Sequence, residues 1–172
     1  MVKDLSLLLT LVLIGVALTL IWLGWRNRLR RQADVDPLPG IPAELGFPLA
    51  AADGQYVAST TAGDWLDRIA VHNLGIRTNA ELSVHAEGVL FERSGAGPVF
   101  IPADRLTGVR QESGMAGKFV EKDGLLVLSW MLGAHELDTG FRTRHADDKM
   151  TLLNALQDLI SAAPQANADS GK

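Results

Sequence analysis

The chain has 172 residues, with 16 basic and 20 acidic side chains and no cysteine. This length fits one domain of ordinary size, or a smaller domain with appendages. The absence of cysteine excludes a disulfide scaffold, a thiolate metal site and a cysteine nucleophile. The mean hydropathy of +0.12 is high for a chain with 21% charged residues. We therefore expect the apolar residues to be concentrated in one segment.

The first segment of the chain contains an apolar run of 21 residues without a charge, from Leu5 to Trp25. At about 1.5 Å of rise per residue, a helix of this run is roughly 32 Å long, and a bilayer hydrocarbon core is about 30 Å thick. The charges follow the run, whereas in a cleaved secretory signal they precede it. The sequence thus predicts a transmembrane anchor over residues 1–31, and its uncharged run contains no ionisable group that would mark a transport path.

Aromatic and basic residues at the end of this run predict its orientation. The expected membrane-interface anchors are Trp22, Trp25, Arg26, Arg28, Arg30 and Arg31. Basic residues flanking a span favour the cytoplasmic side. We therefore expect a single-pass protein of the cytoplasmic membrane, with its N-terminus outside and the rest of the chain in the cytoplasm.

The remainder divides into three predicted segments. Four prolines lie within residues 32–48, and this density favours an extended spacer. The small, polar residues 164–172 predict a disordered tail. Residues 49–163 are then the predicted folded domain.

Within this domain, apolar and polar residues alternate with a period of two, which predicts short strands. A hairpin turn at Asp123-Gly124 is expected to join residues 118–122 to residues 125–131. The turn at Gly133-Ala134 is expected to lead into the last strand. Further predicted strands cover residues 56–60, 80–86, 89–94, 99–101, 106–112 and 135–141.

Two helices are predicted in the same domain. Residues 63–75 carry apolar side chains at helical spacing, with Asp64 as a cap and Gly75 at the end. Residues 146–162 form the second helix, because two aspartates occupy its first turn and an apolar stripe follows. That stripe consists of Ala146, Met150, Leu153, Leu156, Ile160 and Ala163. The predicted fold class is α+β and mainly β, an antiparallel sandwich or barrel of about seven strands capped by a C-terminal helix.

Several strings of the sequence resemble one family. TTAGDWLDRI, LGIR, GVLFER, FIPADRLTGVR, GMAGKFV, GLLVLSW and LDTGFR are similar, in this order, to single-pass actinobacterial membrane proteins with a pleckstrin-homology-like (PH-like) domain. The resemblance covers about residues 53–160 and the position of the anchor. It implies the PH-like fold, and members of that family are often labelled transporter or export protein.

The net charge of the chain indicates which classes of partner it can bind. Outside residues 1–31 the chain has 11 basic and 19 acidic residues, a net charge of −8, which repels nucleic acid and anionic headgroups. Phosphoinositide-binding PH domains carry a basic cluster after their first strand. In the corresponding residues 61–79, Arg68 and Arg77 are offset by Asp64 and Asp67. We therefore predict neither nucleic-acid binding nor specific phosphoinositide recognition.

No catalytic or cofactor motif is complete. GMAGK lacks the upstream glycine and the following Ser or Thr of a phosphate loop. The four histidines, His72, His85, His135 and His145, lack metal-ligand spacing and are predicted at the surface or at strand edges. The GxSxG motif is absent. We predict no enzymatic activity, no metal and no cofactor.

The remaining hypothesis is an interaction or scaffold module that binds an unknown protein or peptide. The ligand is expected against a sheet edge or in the groove beside the final helix. The candidate interaction patch is Asp67, Arg68, Asp138 and Arg142. Trp65 adjoins this patch, although it and Trp130 are more typical of core residues. The alternatives are an accessory subunit of a membrane transport or export system and a lipid-sensing domain.

Overall fold

The computed structural model describes residues 2–31 and 35–163. The chain separates into two compact units, Met1–Asp34 and Val35–Lys172. The predicted tail at residues 164–172 and the first three residues of the predicted spacer lie outside the described residues.

The first unit contains one helix, α1 (Val2–Arg31). Its described apolar side chains are exposed, with Leu9 and Leu13 at 70%. The guanidinium carbon of Arg26 lies 5.2 Å from the ring centroid of Trp22. Side chains of the other predicted interface anchors, Trp25, Arg28, Arg30 and Arg31, lie outside the described part. Across the residues described, no helix combines the length and apolar character required of a membrane crossing.

The second unit consists of short strands and a C-terminal helix. The elements are β1 (Ala50–Thr61), β2 (Thr78–His85), β3 (Gly88–Arg93), β4 (Val99–Pro102), β5 (Leu106–Glu112), β6 (Gly114–Met115), β7 (Lys118–Phe119), β8 (Leu125–Leu132), β9 (His135–Thr143) and α2 (Ala146–Ala162). Seven of the strands form one antiparallel sheet in the order β4-β3-β2-β1-β9-β8-β5, and β6 and β7 form a separate hairpin. Strands β1 to β4 form one meander, β5, β8 and β9 form another, and pairing of β1 with β9 joins them. The mainly-β prediction with a C-terminal helix is confirmed.

The main core lies between α2 and one face of the sheet, because alternate strand residues point to the same side. On β8 these residues are Leu126, Leu128, Trp130 and Leu132, all buried. The rings of Tyr56, Phe91 and Phe141 meet edge to face, with centroids 5.5 and 5.9 Å apart. The prediction that Trp130 is a core residue is confirmed.

A polar chain crosses this core. The indole N–H of Trp130 donates to Thr139 Oγ1 at 2.8 Å, and Thr139 Oγ1 lies 2.6 Å from Ser59 Oγ. Ser59 Oγ lies 2.7 Å from the Tyr56 hydroxyl, which donates to the Leu74 carbonyl at 2.9 Å. One direction of donation satisfies every group, from Trp130 through the hydroxyls to Leu74. These buried polar atoms therefore carry no desolvation penalty for an unmade bond.

Helix α2 has the predicted bounds, but its buried face differs from the predicted stripe. The buried side chains are Leu152, Leu153, Leu156 and Leu159, whereas Met150 is 50% exposed. Leucines at 152, 156 and 159 follow helical spacing as well as the predicted residues do. Packing against β1 and β5 selects the leucine-rich face.

The predicted helix over residues 63–75 is wrong. Asp64 accepts hydrogen bonds from the backbone N–H groups of Leu66 and Asp67 in a tight turn. The following backbone bonds to β1: Ile69 N–H donates to Ser59 O, and Ser59 N–H donates to Leu74 O. Only Val71–Asn73 forms a short 3-10 turn. Backbone groups that are satisfied by a strand cannot also form a helix.

The predicted pairing of residues 118–122 with residues 125–131 is also wrong. β7 pairs with β6 to form a separate hairpin, whereas β8 pairs with β5 and β9. The turn of the β6–β7 hairpin contains Ala116 and Gly117, both at positive φ. Asp123 also has positive φ, so the chain does turn at Asp123-Gly124 as predicted. This turn changes the direction of the chain but does not join two paired strands.

The prediction that all four histidines lie at the surface or at edges is wrong for His85, which is 6% exposed. Its Nδ1 lies 2.8 Å from Gly46 O and its Nε2 lies 3.0 Å from Ser83 Oγ. Both ring nitrogens therefore have partners within the fold. His72 and His145 are exposed, as expected.

The proline-rich segment contributes to the packing of the second unit. Val35 is buried in the main core and Leu38 packs against it. Residues 35–48 carry no helix or strand. This part of the segment is thus irregular and is anchored to the second unit through Val35 and Leu38.

A bulge in β1 decides which residues face the core. Tyr56 lies opposite Phe141, and Ala58 lies opposite Gly140, so Val57 is the additional residue. Tyr56 belongs to the main core, whereas Val57 and Ala58 belong to a second apolar cluster on the opposite face of the sheet. We call that opposite face the outer face. An inserted residue in one strand reverses the alternation of all residues after it.

Candidate functional site

A row of polar side chains crosses the outer face. Thr60 on β1 lies opposite Asp138 on β9, which lies opposite Ser129 on β8. Ser129 Oγ donates to Asp138 Oδ1 at 2.6 Å. The bulge at Val57 brings Thr60 to this face, because Ser59 before it points into the polar chain of the core.

Asp138 is 5% exposed and forms an ion pair with Arg110 of β5. The guanidinium donates to Oδ1 at 3.1 Å and to Oδ2 at 2.8 Å, and Gly63 N–H donates to Oδ2 at 3.3 Å. Burial alone would raise the pKa of Asp138, but hydrogen bonds from Arg110 and Ser129 outweigh it and lower this pKa below its usual value. The same hydrogen bond to Asp138 raises the pKa of Arg110. Both groups are therefore charged at neutral pH.

The β6–β7 hairpin packs onto the outer face beside this ion pair. Met115 and Ala116 are buried with Val57, Leu125 and Val127 in the outer cluster. A Cβ added to Gly140 would overlap the Met115 sulfur. Glycine at this position of β9 therefore permits the hairpin to lie close against the sheet.

The loop after β1 is connected to the hairpin through backbone groups. Ala116 N–H donates to Trp65 O at 2.8 Å, and Arg68 Nη2 donates to Ala116 O at 2.6 Å. These bonds hold Trp65 beside Phe119 of β7, with ring centroids 5.8 Å apart and planes tilted by 57°. Trp65 is 44% exposed and Phe119 is 80% exposed. The prediction that Trp65 is a core residue is thus wrong.

The loop, the hairpin and the sheet enclose a groove of about 480 Å³ on the outer face. Its side chains include Thr60, Trp65, Arg110, Glu112, Phe119 and Asp138. We call this feature the outer groove. It has the features typical of a binding site: aromatic walls and a small number of fixed polar groups.

One polar atom of the outer groove is unsatisfied within the described part of the chain. Thr60 is fully buried, and its Oγ1 has no hydrogen-bond partner there. A buried hydroxyl without a partner costs about 1–3 kcal/mol.

The four residues of the predicted interaction patch have different partners in the structure. Asp138 belongs to the floor of the outer groove, and Arg68 binds the hairpin carbonyl. Asp67 accepts a hydrogen bond from Thr61 Oγ1 at 2.8 Å. Arg142 donates to Glu121 at 2.8 Å and lines a different cavity, near Arg144.

Sequence reasoning did not identify Arg110, Thr60, Glu112 or Phe119 as members of the site. The alternation in β5 was visible, but its register with β8 and β9 was not. Phe119 was assigned to a strand that continues to residue 122, which hides its position on a two-residue strand. Among the residues described, no group of three or more potential metal ligands is present.

Comparison with known proteins identifies the domain type. A family model described as "Bacterial PH domain-like" matches residues 35–157. This match begins at the first residue of the second unit and ends within α2. No curated protein matches the chain.

Similar solved structures include Vav1 inhibited by an allosteric inhibitor, with 17% identity and a TM-score of 0.42. The apo structure of the activated truncation of Vav1 has 16% identity and a TM-score of 0.42. In both cases the alignment covers 80% of this chain but only 32% of the Vav1 chain. The C-terminal domain of an unknown protein from Leishmania infantum has 12% identity and a TM-score of 0.41, with 81% of this chain and 98% of that chain covered.

Proposed function

The chain belongs to the bacterial PH domain-like family, and from this premise we propose that its second unit binds a protein or peptide ligand in the outer groove. Domains of this type generally lack catalytic activity and often mediate protein interactions. The proposal is therefore an interaction module, with the outer groove as its binding surface.

The observation that carries the proposal is the exposed pair of Trp65 and Phe119 above a rigid polar floor. Large aromatic side chains gain most when a partner removes them from water, and tryptophan is enriched among the residues that dominate binding energy. One backbone hydrogen bond and one from the Arg68 side chain, both between the loop and the hairpin, hold the pair in place before a ligand arrives. Such preorganisation lowers the entropic cost of association.

The polar floor favours binding over chemistry. Both carboxylate oxygens of Asp138 accept hydrogen bonds, and its lowered pKa makes it a weak base. A general base works best with a pKa near the operating pH. Asp138 thus fits the role of a fixed structural anion beneath the ligand.

The experiment is site-specific photocrosslinking in intact cells. A photoreactive phenylalanine analogue replaces Phe119 in one variant and Phe47 in the other. Both side chains are strongly exposed, at 80% and 96%, but only Phe119 lines the outer groove. We expect a discrete adduct from position 119 that position 47 does not give. Identical adduct patterns at the two positions, or none at either, would contradict the proposal.

We propose further that α1 tethers this module to the cytoplasmic membrane, with the second unit in the cytoplasm. The support is the uncharged run from Leu5 to Trp25, the arginines that follow it and the exposed apolar side chains of α1. A run of 21 uncharged residues matches the thickness of a bilayer core.

Two measurements test the tether. The chain should stay with the membrane pellet after an alkaline carbonate wash, and external protease should leave the second unit intact in wall-stripped cells. Release by carbonate would contradict the anchor, and digestion from outside would contradict the orientation. Replacing residues 5–25 with an unrelated apolar helix should preserve function, whereas loss of function would favour the accessory-subunit alternative.

A further inference from the structure

We propose that the ligand of the outer groove is a basic segment of a partner protein, with an arginine or lysine side chain placed against Trp65 and Phe119 and paired with Glu112. This inference rests on the proposed function of the groove and specifies the chemistry of its ligand.

Charge within the groove supports a cationic ligand. Its lining contains one basic side chain, Arg110, and two acidic ones, Glu112 and Asp138. Arg110 donates to both carboxylates, at 3.0 Å to Glu112 and at 2.8 Å to Asp138. Among the described residues, Glu112 accepts a hydrogen bond from Arg110 alone, and its side chain is 45% exposed. The groove therefore has a formal charge of −1 and an accessible carboxylate at its edge.

The charge of the whole unit acts in the same direction. Residues 35–163 contain 10 basic and 17 acidic side chains, a formal net charge of −7. A field of this sign attracts basic segments and accelerates their association. An acidic or phosphorylated ligand would instead meet an arginine that two carboxylates already neutralise.

The aromatic pair supplies the second recognition element. The two exposed rings are tilted by 57° with centroids 5.8 Å apart, and both line the outer groove. A guanidinium or ammonium group over such a face is attracted by the ring quadrupole, and the attraction is strongest for tryptophan. The combination of exposed aromatic faces with a nearby carboxylate therefore selects a cation over a neutral apolar group.

The test measures binding of a labelled hexa-arginine peptide to the full chain by fluorescence anisotropy, at about 0.15 M salt. Hexa-citrulline is the neutral control of the same shape. We expect hexa-arginine to bind and hexa-citrulline to bind at least tenfold more weakly. Trp65→Leu and Phe119→Leu should each weaken binding about two- to fivefold, the range of an exposed cation–π contact.

Matched variants separate groove binding from general attraction to an acidic protein. Glu112→Gln and Asp158→Asn each remove one exposed acidic charge, but only Glu112 lines the groove. Phe47→Leu is the control for Phe119→Leu. We expect about threefold weaker binding with Glu112→Gln and no change with Asp158→Asn or Phe47→Leu. Equal effects of the two charge variants, or equal binding of the two peptides, would overturn the inference.

Failure of this inference is distinguishable from failure of the proposed function. If position 119 crosslinks a specific protein but hexa-arginine does not bind, the basic ligand is overturned and the interaction module stands. If neither experiment gives a groove-dependent signal, both are overturned.

Discussion

Arg110 and Asp138 form a two-point ion pair that reaches across an intervening strand. Arg110 belongs to β5 and Asp138 to β9, and β8 lies between them with Ser129 directly beneath the pair. Arg110 Nη1 donates to Ser129 Oγ at 2.8 Å, and Ser129 donates in turn to Asp138. Three neighbouring strands are thus joined through side chains on the outer face, at the floor of the outer groove.

Because of the Arg110–Asp138 ion pair, we expect the free energy of unfolding to fall at acid pH. The folded pKa of Asp138 is lowered, whereas an unfolded aspartate has a pKa of about 3.9. Its contribution to the free energy of unfolding is therefore complete above about pH 4 and is lost as the pH falls through the folded pKa. Asp138→Asn should cost about 1–3 kcal/mol at neutral pH. In denaturant unfolding, the gap between wild type and variant should narrow below about pH 4, and a constant gap would contradict the assignment.

Burial of the Tyr56 hydroxyl should make the stability of the protein depend on pH in the alkaline range. Burial raises the pKa of Tyr56 to about 12, although the Ser59 hydrogen bond and the nearby Arg93 lower it in part. An unfolded tyrosine ionises near pH 10, so the unfolded state loses its proton first. Stability should therefore fall as the pH rises from about 10 towards 12. Tyr56 is the one tyrosine of the chain, so tyrosinate absorbance reports it directly. Absorbance that rises near pH 10 in the folded protein would refute burial of the hydroxyl.

A side chain introduced at Gly140 should disturb the packing of the β6–β7 hairpin against the sheet. Gly140→Ala should destabilise the protein by about 1–3 kcal/mol, because the new methyl group meets Met115. Gly108→Ala is the matched control, since the nearest atom to its Cβ would be Ser129 Cβ at 3.9 Å. A second change, Met115→Ala, should make Gly140→Ala less costly, which a double-mutant cycle of unfolding energies measures. Additive effects would show that the two residues are not in contact.

Alanine substitutions of two apolar residues on α2 should differ in their cost to stability. Leu152 is fully buried, whereas Met150 is half exposed. Leu152→Ala should cost about 2–5 kcal/mol in chemical unfolding, and Met150→Ala less than about 1 kcal/mol. If Met150→Ala cost more than Leu152→Ala, the buried face of α2 would instead be the apolar stripe predicted from the sequence.

The strands and α2 could be predicted because alternation and helical spacing record which side chains are buried. Residues 63–75 show where such patterns fail. Their apolar spacing fits a helix, but Ile69 and Leu74 are buried on a segment whose backbone bonds to β1. Those bonds form with Ser59, which is distant in the sequence, so no local pattern reveals them.

The site was less accessible to prediction than the fold. Asp138 was among the candidates, but its partner Arg110 lies 28 residues earlier. Their meeting depends on the register of β5, β8 and β9, and this register includes a shift between Leu106 and Gly108. Trp65 was judged by its place in an expected helix. Once that helix gives way to a turn, the indole lies at the edge of the groove instead of in the core.

The bulge in β1 makes the interior and the outer groove interdependent. If β1 paired with β9 without the bulge, so that Val57 lay opposite Gly140, Ser59 would turn outward and Thr60 inward. The hydrogen-bonded chain from Trp130 to Tyr56 would then lose its central hydroxyl, and the floor of the outer groove would lose its threonine. A shift in the pairing of β1 that altered the outer groove would therefore also alter the core.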